Sequence, residues 1–318
     1  MTKKILITGG TGFIGSHLAE RIFLEYKKSK IVIYDKITYA ANIRYIENII
    51  NKDNVKFVKG DLLNFKKLES NLKDVDLAIN VAAESHVDNS FGNSLIFTKT
   101  NTLGTHCFLE ACRKQKVKRI IHVSTDEVYG ENLNKSFTEK QFLNPTNPYS
   151  ASKAGADMIV NAYKKSYNLN IATVRANNIY GTRQFPEKLI SKSIYSFLKN
   201  KKMSIHGAGN NYRFYLAVED FCDGVIKIIK RGKSNEIYNI GSNNFYNVKK
   251  VIMMVSDYFN INFKENVKYV PDRPFNDKIY KINCSKLKKL SWKPKRKLEN
   301  DIPSICEWYK KNIRLFKI

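Results

Sequence analysis

The stretch ITGGTGFIGSH, residues 7–17, lies between a β-branched run and an amphipathic run, and it decides the fold of the first half of the chain. In it Gly9, Gly12 and Gly15 recur at intervals of three residues. Small residues at these positions permit a tight turn and let the backbone approach a pyrophosphate at the N-terminus of a helix. A plain strand–helix turn can also carry glycines, so the motif predicts a dinucleotide site only in combination with other residues of the chain.

Strand-like and helix-like runs alternate through the first half of the chain. Five runs are apolar on both faces, which predicts buried parallel strands; they read KILIT, IVIYD, VKFVKGD, DLAINVAA and RIIHVST. Amphipathic stretches between and after them predict helices: FIGSHLAERIFLEY, FTKTNTLGTHCFLEACRKQ and YSASKAGADMIVNAYKKSY. Repeated βα units imply right-handed crossovers. The predicted fold class is therefore α/β, a Rossmann doubly wound parallel sheet with a smaller mixed C-terminal lobe.

An acidic residue at the tip of the second strand indicates which dinucleotide binds. Asp35 lies 20 residues beyond Gly15, where a carboxylate can accept both ribose hydroxyls and would repel a 2′-phosphate. This position favours NAD over NADP, although Lys36 beside it weakens the preference. After the third strand Asp61 is expected at the adenine rim, and after the fourth strand residues 82–85 are expected on the nicotinamide side.

The pattern becomes irregular after about Gly181, where short helical stretches, loops and the proline-bearing VPDRPFND occur. We therefore expect an NAD-binding Rossmann domain over residues 1–180 and mainly a substrate-binding lobe over residues 181–318. The run NEIYNIG predicts a strand at 236–241 that returns to the main sheet. Because the sequence has no repeat or low-complexity linker, the two parts are expected to pack tightly.

The net charge of +26 suggests a nucleic-acid partner, but the distribution of the charge does not. Only 11 of the 55 basic residues are arginine, and the lysines are scattered along the chain. A nucleic-acid binder would more often cluster its basic residues on one face or arm. We therefore expect a solvated basic surface that attracts anionic nucleotide ligands, and no nucleic-acid partner.

Neither a membrane segment nor a metal site is predicted. No run approaches the roughly 20 apolar residues that span a bilayer, and the N-terminal MTKKILITGG leaves no room for a signal peptide. Five cysteines form an odd set without a C-x-x-C pair, which suits reduced thiols better than disulfides or zinc. We expect a cytoplasmic protein without a metal.

The helix predicted after the fifth strand carries a pair of residues suited to alcohol oxidation. PYSASK puts Tyr149 and Lys153 four residues apart and therefore on one helix face. A phenol is a poor base at neutral pH, but an adjacent ammonium and an oxidised nicotinamide stabilise its phenolate. An isolated pair of this kind is usually a surface feature. With the glycine motif present and Thr125 at a strand end, we expect Tyr149 to deprotonate a hydroxyl that Thr125 also binds.

Two acids lie just after the fifth strand at its carboxyl end, where α/β folds hold their ligands. Asp126 and Glu127 in STDEVYG come directly after Thr125, although an Asp-Glu pair alone is more often a cap or a solvated turn. Once an alcohol is oxidised to a ketone, the neighbouring C–H bond becomes acidic. One carboxylate can then remove that proton while the other, kept protonated, expels a β-hydroxyl as water; this requires pKa values that are pushed apart.

Five segments together resemble one family: STDEVYG, YSASKAGAD, AAESHVDNSFGN, NNIYGTRQFPEKLI and YNIG. The chain resembles the nucleotide-sugar 4,6-dehydratases of the extended short-chain dehydrogenases/reductases over essentially its whole length. The resemblance implies that Tyr149 removes the C4 hydroxyl proton while NAD⁺ accepts a hydride. It also implies that Glu127 takes the C5 proton, that Asp126 protonates the departing C6 hydroxyl, and that the hydride returns to C6 with NAD still bound. Related epimerases generally lack the adjacent Asp-Glu.

The resemblance further implies which residues form the site. The expected catalytic residues are Thr125, Asp126, Glu127, Tyr149 and Lys153. The expected cofactor residues are Gly9, Gly12, Phe13, Ile14, Gly15, Asp35, Lys36, Asp61, Leu62, Ala82, Ala83, Ser85, Thr100, Tyr149 and Lys153. The expected substrate residues are Ser85, His86, Asn178, Glu187, Lys188, Leu189, Arg213, Asn247 and Arg273.

The segments SIHGAGN and RPFND look closer to the dehydratase part of plant-type UDP-rhamnose synthases than to bacterial dTDP-glucose 4,6-dehydratases. We therefore expect UDP-glucose as the substrate, in a first step toward UDP-rhamnose or a related deoxysugar. The alternative is dTDP-glucose, and a nucleotide-sugar epimerase is a more distant one. Because the chain ends after this unit, the later epimerase and reductase steps are expected on another polypeptide. The family commonly forms homodimers through the helices that contain TNTLGTHCFLEAC and YSASKAGADMIVNAY, and a homodimer is expected here.

Overall fold

The computed structural model describes residues 3–132, 135–272, 277 and 279–316. Within them the strands are β1 Lys4–Thr8, β2 Lys30–Asp35, β3 Val55–Lys59, β4 Leu77–Asn80, β5 Arg119–Thr125, β6 Ile171–Ala176, β7 Asn178–Tyr180, β8 Met203–His206, β9 Tyr212–Ala217, β10 Ile237–Ile240, β11 Phe245–Asn247 and β12 Val267–Val270. The α-helices are α1 Phe13–Glu25, α2 Glu47–Ile50, α3 Phe65–Leu72, α4 Val87–Gly92, α5 Ser94–Phe97, α6 Gly104–Lys114, α7 Pro148–Tyr167, α8 Leu189–Leu198, α9 Val218–Arg231, α10 Val248–Tyr258, α11 Phe263–Asn266, α12 Ser285–Lys288 and α13 Leu298–Asn312. Short 3₁₀-helices span Ile43–Ile46, Asp126–Tyr129 and Ile313–Leu315, and a π-helical stretch, Thr98–Leu103, joins α5 to α6. In these described ranges no helix is long and apolar enough to cross a bilayer.

Seven parallel strands form the central sheet in the order β10-β6-β5-β4-β1-β2-β3. Successive residues of β1 enter different cores: Ile5 and Ile7 pack with one buried cluster and Leu6 with another, so both faces of the sheet are covered. The strand order reverses beside β1, and the carboxyl ends of β1 and β4 therefore border the crevice in which doubly wound sheets bind ligands. The predicted Rossmann α/β class is confirmed.

The prediction that all five early strands are buried on both faces is wrong for β3. Of its residues only Val55 is fully buried, whereas Lys56 and Lys59 are exposed. The reason is its place in the sheet, because β3 pairs with β2 and forms the edge. Lysine suits such a position, since charged side chains on an edge strand discourage pairing with another chain.

Residues beyond Gly181 build a second core and also return to the first one. The smaller sheets, β11-β9-β7 and β12-β8, pack with α8, α10 and α13 around buried residues that include Ile194, Val251 and Ile305. Strand β10 lies beside β6 in the central sheet, with Ile237 opposite Thr173. We propose that residues 1–180 and 181–318 form the two lobes of one packed unit, with this strand crossing between them.

Asp220 joins helix α9 to the C-terminal part of the chain. It is buried, and its Oδ2 accepts hydrogen bonds from the backbone N–H groups of Lys295 and Arg296, each 2.9 Å long. Asp220→Ala leaves both N–H groups without this partner. We expect it to lower the free energy of unfolding by about 2–4 kcal/mol, measured by urea denaturation.

The neighbouring substitution Glu219→Ala is the matched control. The Glu219 side chain is half exposed and lies 3.7 Å from the Arg296 guanidinium, and an exposed ion pair contributes less than about 1 kcal/mol. Equal losses of stability in the two variants would contradict the role given to Asp220.

Candidate active site

A cavity of about 450 Å³ opens at the carboxyl ends of the central strands and extends into the second lobe. Pockets for small ligands have volumes of this order. Most of the predicted site residues line it: Gly9, Gly12, Phe13, Ile14, Gly15, Asp35, Lys36, Asp61, Leu62, Ala82, Ala83, Ser85, His86, Thr100, Thr125, Glu127, Tyr149, Lys153, Asn178, Glu187, Lys188, Leu189 and Arg213. Two predicted residues, Asp126 and Asn247, are not part of this lining, and Arg273 lies outside the described residues.

The glycine turn between β1 and α1 forms a cradle that side chains would fill. Gly9 has a φ of +67°, and a Cβ there would lie 2.7 Å from Cα of Ala82. A Cβ on Gly15 would overlap the carbonyl oxygen of Gly9, so close packing of turn and helix requires this glycine. Gly12 differs, because a Cβ there would meet only the same oxygen, at 3.4 Å. Its missing side chain therefore leaves space in the cavity at the N-terminus of α1, which suits a pyrophosphate.

Asp35, at the end of β2, is held in position by the backbone. Its Oδ2 accepts a hydrogen bond of 2.9 Å from the N–H of Thr11, and its Oδ1 accepts one of 2.8 Å from the N–H of Ile37. Each oxygen keeps a further lone pair for a ribose hydroxyl. The Lys36 ammonium lies 2.7 Å from the Asp61 carboxylate, so its charge is already paired and does not favour a 2′-phosphate. The residues present therefore fit NAD.

Helix α7 starts beside the acid pair because its first turn is strongly capped. Asn147 Oδ1 accepts the backbone N–H of Ser150 at 2.8 Å, Ser150 Oγ accepts the N–H of Asn147, and Pro148 occupies the first helical position. The Asn147 amide also lies 3.4 Å from Oε2 of Glu127. The cap thus ties the start of α7 to the turn after β5.

Tyr149 and Lys153 are both buried at the floor of the cavity. The Lys153 ammonium donates a hydrogen bond of 2.7 Å to the carbonyl oxygen of Val123, and burial lowers the pKa of Lys153 to about 8. Burial, reinforced by the charge of Glu127, raises the pKa of the Tyr149 phenol. A phenolate at Tyr149 would need nearby positive charge, and the Lys188 ammonium lies 6.0 Å from the centre of the Tyr149 ring.

Asp126 is almost fully buried, and its hydrogen bonds come from neutral donors. Asn177 Nδ2 donates a hydrogen bond of 2.7 Å to its Oδ2, and the Thr125 hydroxyl lies 3.3 Å from its Oδ1. Burial, followed by the nearby charge of Glu127, raises the pKa of Asp126 to about 7. A carboxyl with so raised a pKa can hold a proton at a pH at which an ordinary aspartate has lost it, which is the property that a general acid needs.

Glu127 faces the cavity and has a different electrostatic environment. Burial raises its pKa, whereas the charges of Lys188 and Arg213 from the second lobe oppose that rise. Its backbone N–H bonds to Oγ1 of Thr125, which caps the short 3₁₀-helix that begins at Asp126. The two acids thus sit in consecutive positions with different partners, and the cations of the second lobe act more strongly on Glu127.

Loops from both lobes meet at the rim of the cavity. His86 Nε2 lies 3.2 Å from the carbonyl oxygen of Glu187, and the Lys188 ammonium donates a hydrogen bond of 2.6 Å to the carbonyl oxygen of Ser85. The Tyr39 hydroxyl donates to Oε2 of Glu187 at 3.0 Å. The predicted substrate residues on either side are therefore in direct contact with each other.

Some residues at the site carry little or no sequence signal, and one predicted residue has another position. Asn147, Asn177 and Tyr39 contact the predicted site residues, but only Asn147 carried a readable signal, as a cap before proline. Asn247 lies outside the cavity and caps α10, accepting the N–H of Lys250 at 2.8 Å. An asparagine directly before an amphipathic run is itself a capping signal.

Comparisons with known proteins agree with this geometry. The model of the family described as GDP-mannose 4,6 dehydratase matches residues 6–304. A dTDP-D-glucose 4,6-dehydratase of Dictyostelium discoideum is 42% identical, over 98% of this chain and 82% of its own length. A trifunctional UDP-glucose 4,6-dehydratase/UDP-4-keto-6-deoxy-D-glucose 3,5-epimerase/UDP-4-keto-L-rhamnose-reductase of Arabidopsis thaliana is 44% identical over 98% of this chain. The chain spans about half of that relative, 48% of its length.

A solved structure supports the same assignment. The dTDP-glucose 4,6-dehydratase of Streptomyces venezuelae with NAD and TYD bound superposes with a TM-score of 0.96 at 33% identity, covering 99% of each chain. The resemblance seen in the sequence and the choice of NAD as cofactor are therefore confirmed. The chain belongs to the GDP-mannose 4,6-dehydratase family, as an NAD-dependent hydro-lyase that acts on a nucleotide sugar.

Proposed function

We propose that this chain is a UDP-glucose 4,6-dehydratase that forms UDP-4-keto-6-deoxyglucose and keeps NAD bound through the cycle. The observation that carries the dehydratase chemistry is the buried pair Asp126 and Glu127 beside Tyr149. Burial raises the pKa of both carboxyl groups, so one of them can donate a proton near neutral pH. Elimination of water needs such a donor, whereas exchange of configuration at C4 by an epimerase does not.

The side chains of the protein account for the proton movements in this proposal. NAD, when bound, supplies the reversible oxidation of the sugar carbon. Tyr149 takes the proton of the C4 hydroxyl, and the ammonium groups of Lys153 and Lys188 favour the phenolate. Glu127 removes the proton at C5, which the 4-keto group has made acidic. Asp126 gives its proton to the hydroxyl that leaves C6 as water, and Glu127 returns its proton to C5 when the hydride comes back to C6.

The choice of UDP is supported by the wall of the cavity in the second lobe. The segment SIHGAGN, which looks like the plant-type enzymes, begins on β8, and its residues Ser204, Ile205 and His206 line the cavity. This position supports a contact with the nucleotide when the sugar lies at Tyr149. The second candidate substrate is dTDP-glucose, because the Dictyostelium and Streptomyces relatives are named for it.

Parallel incubations with UDP-glucose and dTDP-glucose test the substrate. We expect UDP-glucose to lose one water, detected by mass spectrometry and by the absorbance of the alkali-treated 4-keto product, without consumption of added NADH. A higher kcat/KM for dTDP-glucose would identify dTDP-glucose as the preferred substrate and leave the proposed dehydratase reaction unchanged. A C4 epimer without loss of water would identify an epimerase, and no product from either sugar would overturn the proposed function.

Two conservative substitutions separate the proposed steps. Glu127→Gln cannot accept the C5 proton, so we expect bound NAD to be reduced while formation of product falls by about 10²–10⁴-fold. Tyr149→Phe lacks the first base, so neither NADH nor product should form. Stopped-flow absorbance of NADH distinguishes the two variants, and the exposed Glu47→Gln serves as the control with normal turnover. Absence of NADH in Glu127→Gln would contradict its role after oxidation.

We propose that the protein is a homodimer joined through the outer side of the segment from α5 to α6 and of α7. Leu95, Leu103 and Met158 on these helices are 70%, 48% and 59% exposed. The segments contact each other, since the Thr102 hydroxyl donates a hydrogen bond of 2.8 Å to the carbonyl oxygen of Ser152. Large exposed apolar side chains on adjoining helices are typical of protein interfaces.

The double substitution Leu103→Glu with Met158→Glu tests this interface. Charge repulsion and desolvation of the new carboxylates should convert a dimeric wild type to a monomer in gel filtration and analytical ultracentrifugation. Phe142→Glu, which changes an 87% exposed residue in a loop, is the matched control and should remain dimeric. A monomeric wild type, or an unchanged dimer in the double variant, would disprove the proposed interface.

A further inference from the structure

A row of buried polar side chains crosses the central sheet behind the active site. Thr8 on β1, Asn80 on β4 and His122 on β5 stand opposite one another in the strand register. The Thr8 hydroxyl lies 2.7 Å from Oδ1 of Asn80, and Nδ2 of Asn80 lies 3.3 Å from Nδ1 of His122. The row therefore runs from the residue that precedes the glycine turn to the strand that precedes the acid pair.

The hydrogen bonds of this row determine where the proton of His122 resides. The backbone N–H groups of Val81 and Ala82 donate to Oγ1 of Thr8, at 3.2 and 3.3 Å, so the hydroxyl proton of Thr8 points to Oδ1 of Asn80. The amide of Asn80 must then present its N–H group to Nδ1 of His122. Burial lowers the pKa of His122, so the ring is neutral and its proton lies on Nε2.

The N–H of His122 faces a carboxylate that takes no part in the proposed proton transfers. Its Nε2 lies 3.5 Å from Oδ1 of Asp157, and Arg175 Nε donates a hydrogen bond of 2.8 Å to Oδ2. All three side chains are 5% exposed or less. The Arg175 guanidinium in turn lies over the Tyr129 ring, 4.7 Å from its centre. Asp157 is therefore a buried carboxylate bound by Arg175, with the His122 ring beside its other oxygen.

Asp157 lies one turn beyond Lys153 on α7, and the two groups interact electrostatically. Burial lowers the pKa of Lys153 and the charge of Asp157 opposes this, favouring the ammonium. In the described part of the chain, several other charged or titratable groups face this stretch of α7: His122 from β5, Arg175 from β6, Asp126 and Glu127 from the turn after β5, Glu110 from α6, Lys188 from the second lobe, and Tyr149, Tyr163 and Lys164 of α7 itself.

We propose that Asp157 is a positioning residue for Lys153: its buried carboxylate, bound by Arg175 and one turn along the same face of α7, stabilises the ammonium that donates to the Val123 carbonyl. An ammonium has three N–H groups, and one is used by Val123, so two remain for the cofactor ribose and Tyr149. This inference rests on the role proposed for Lys153 in the reaction.

The pH dependence of turnover tests the inference. The reaction needs the Lys153 ammonium, so activity falls as the pH rises through the pKa of Lys153, about 8 in the wild type. Asp157→Asn removes the negative charge that favours the Lys153 ammonium. The alkaline limb of the pH–activity profile, where activity falls with rising pH, should therefore move to lower pH by about one unit or more. Asp157→Glu keeps the charge and should restore the limb. A structural role alone would lower thermal stability and leave the limb in place, and that outcome overturns the proposal.

Exchange of bound NAD⁺ for labelled NAD⁺ in the holoenzyme gives a readout that needs no sugar turnover. We expect exchange to accelerate as Lys153 loses its proton, and to do so about one pH unit lower in Asp157→Asn. A shifted exchange profile without turnover of any sugar would reject the proposed function and retain the role of Asp157. Normal turnover with neither profile shifted would reject the role of Asp157 alone.

Discussion

The hydrogen bond from the Lys153 ammonium to the carbonyl oxygen of Val123 joins helix α7 to strand β5 at the carboxyl edge of the sheet. A buried ammonium without a partner costs several kcal/mol. A shift or rotation of α7 would break this hydrogen bond and is therefore unfavourable. Tyr149 precedes Lys153 by one turn, and β5 leads directly into Thr125 and Glu127. One contact therefore sets the distance between the phenol, the capping hydroxyl and the acid pair, and the strong N-terminal cap of α7 supports the same arrangement.

Burial shifts the proton equilibria of this site toward uncharged forms. It raises the pKa values of the acid pair and of Tyr149, and it lowers that of Lys153. The charges that oppose this for Glu127 come from Lys188 and Arg213, both of the second lobe. The second lobe thus contributes charge to the acid pair in addition to the nucleotide contacts proposed for it. Its cations oppose the rise in the pKa of the proposed base, Glu127, while burial and the charge of Glu127 raise the pKa of the proposed acid, Asp126.

The fold class, and the meeting of the glycine turn, Tyr149 and Lys153 at one cavity, could be predicted from local patterns in the sequence. The glycine spacing, the alternation of strands and helices and the spacing of Tyr149 and Lys153 each depend on a few neighbouring residues. The edge position of β3 depends instead on which strands pair, and no short window of sequence contains that information. Asn177 and Tyr39 carry no motif for the same reason, since they reach their partners across 51 and 148 residues. Chain topology brings these groups together.

The return of the chain to the central sheet also serves the acid pair. Strand β10 places Ile240 beside the junction of β6 and β7, where its carbonyl oxygen accepts the N–H of Asn177 at 3.0 Å. The next residue is Gly241, and a Cβ there would overlap Oδ1 of Asn177. The glycine therefore leaves room for the amide that donates to Asp126. A bulkier residue would displace this donor, so a backbone position more than a hundred residues from Asp126 helps to set how strongly that carboxyl holds its proton.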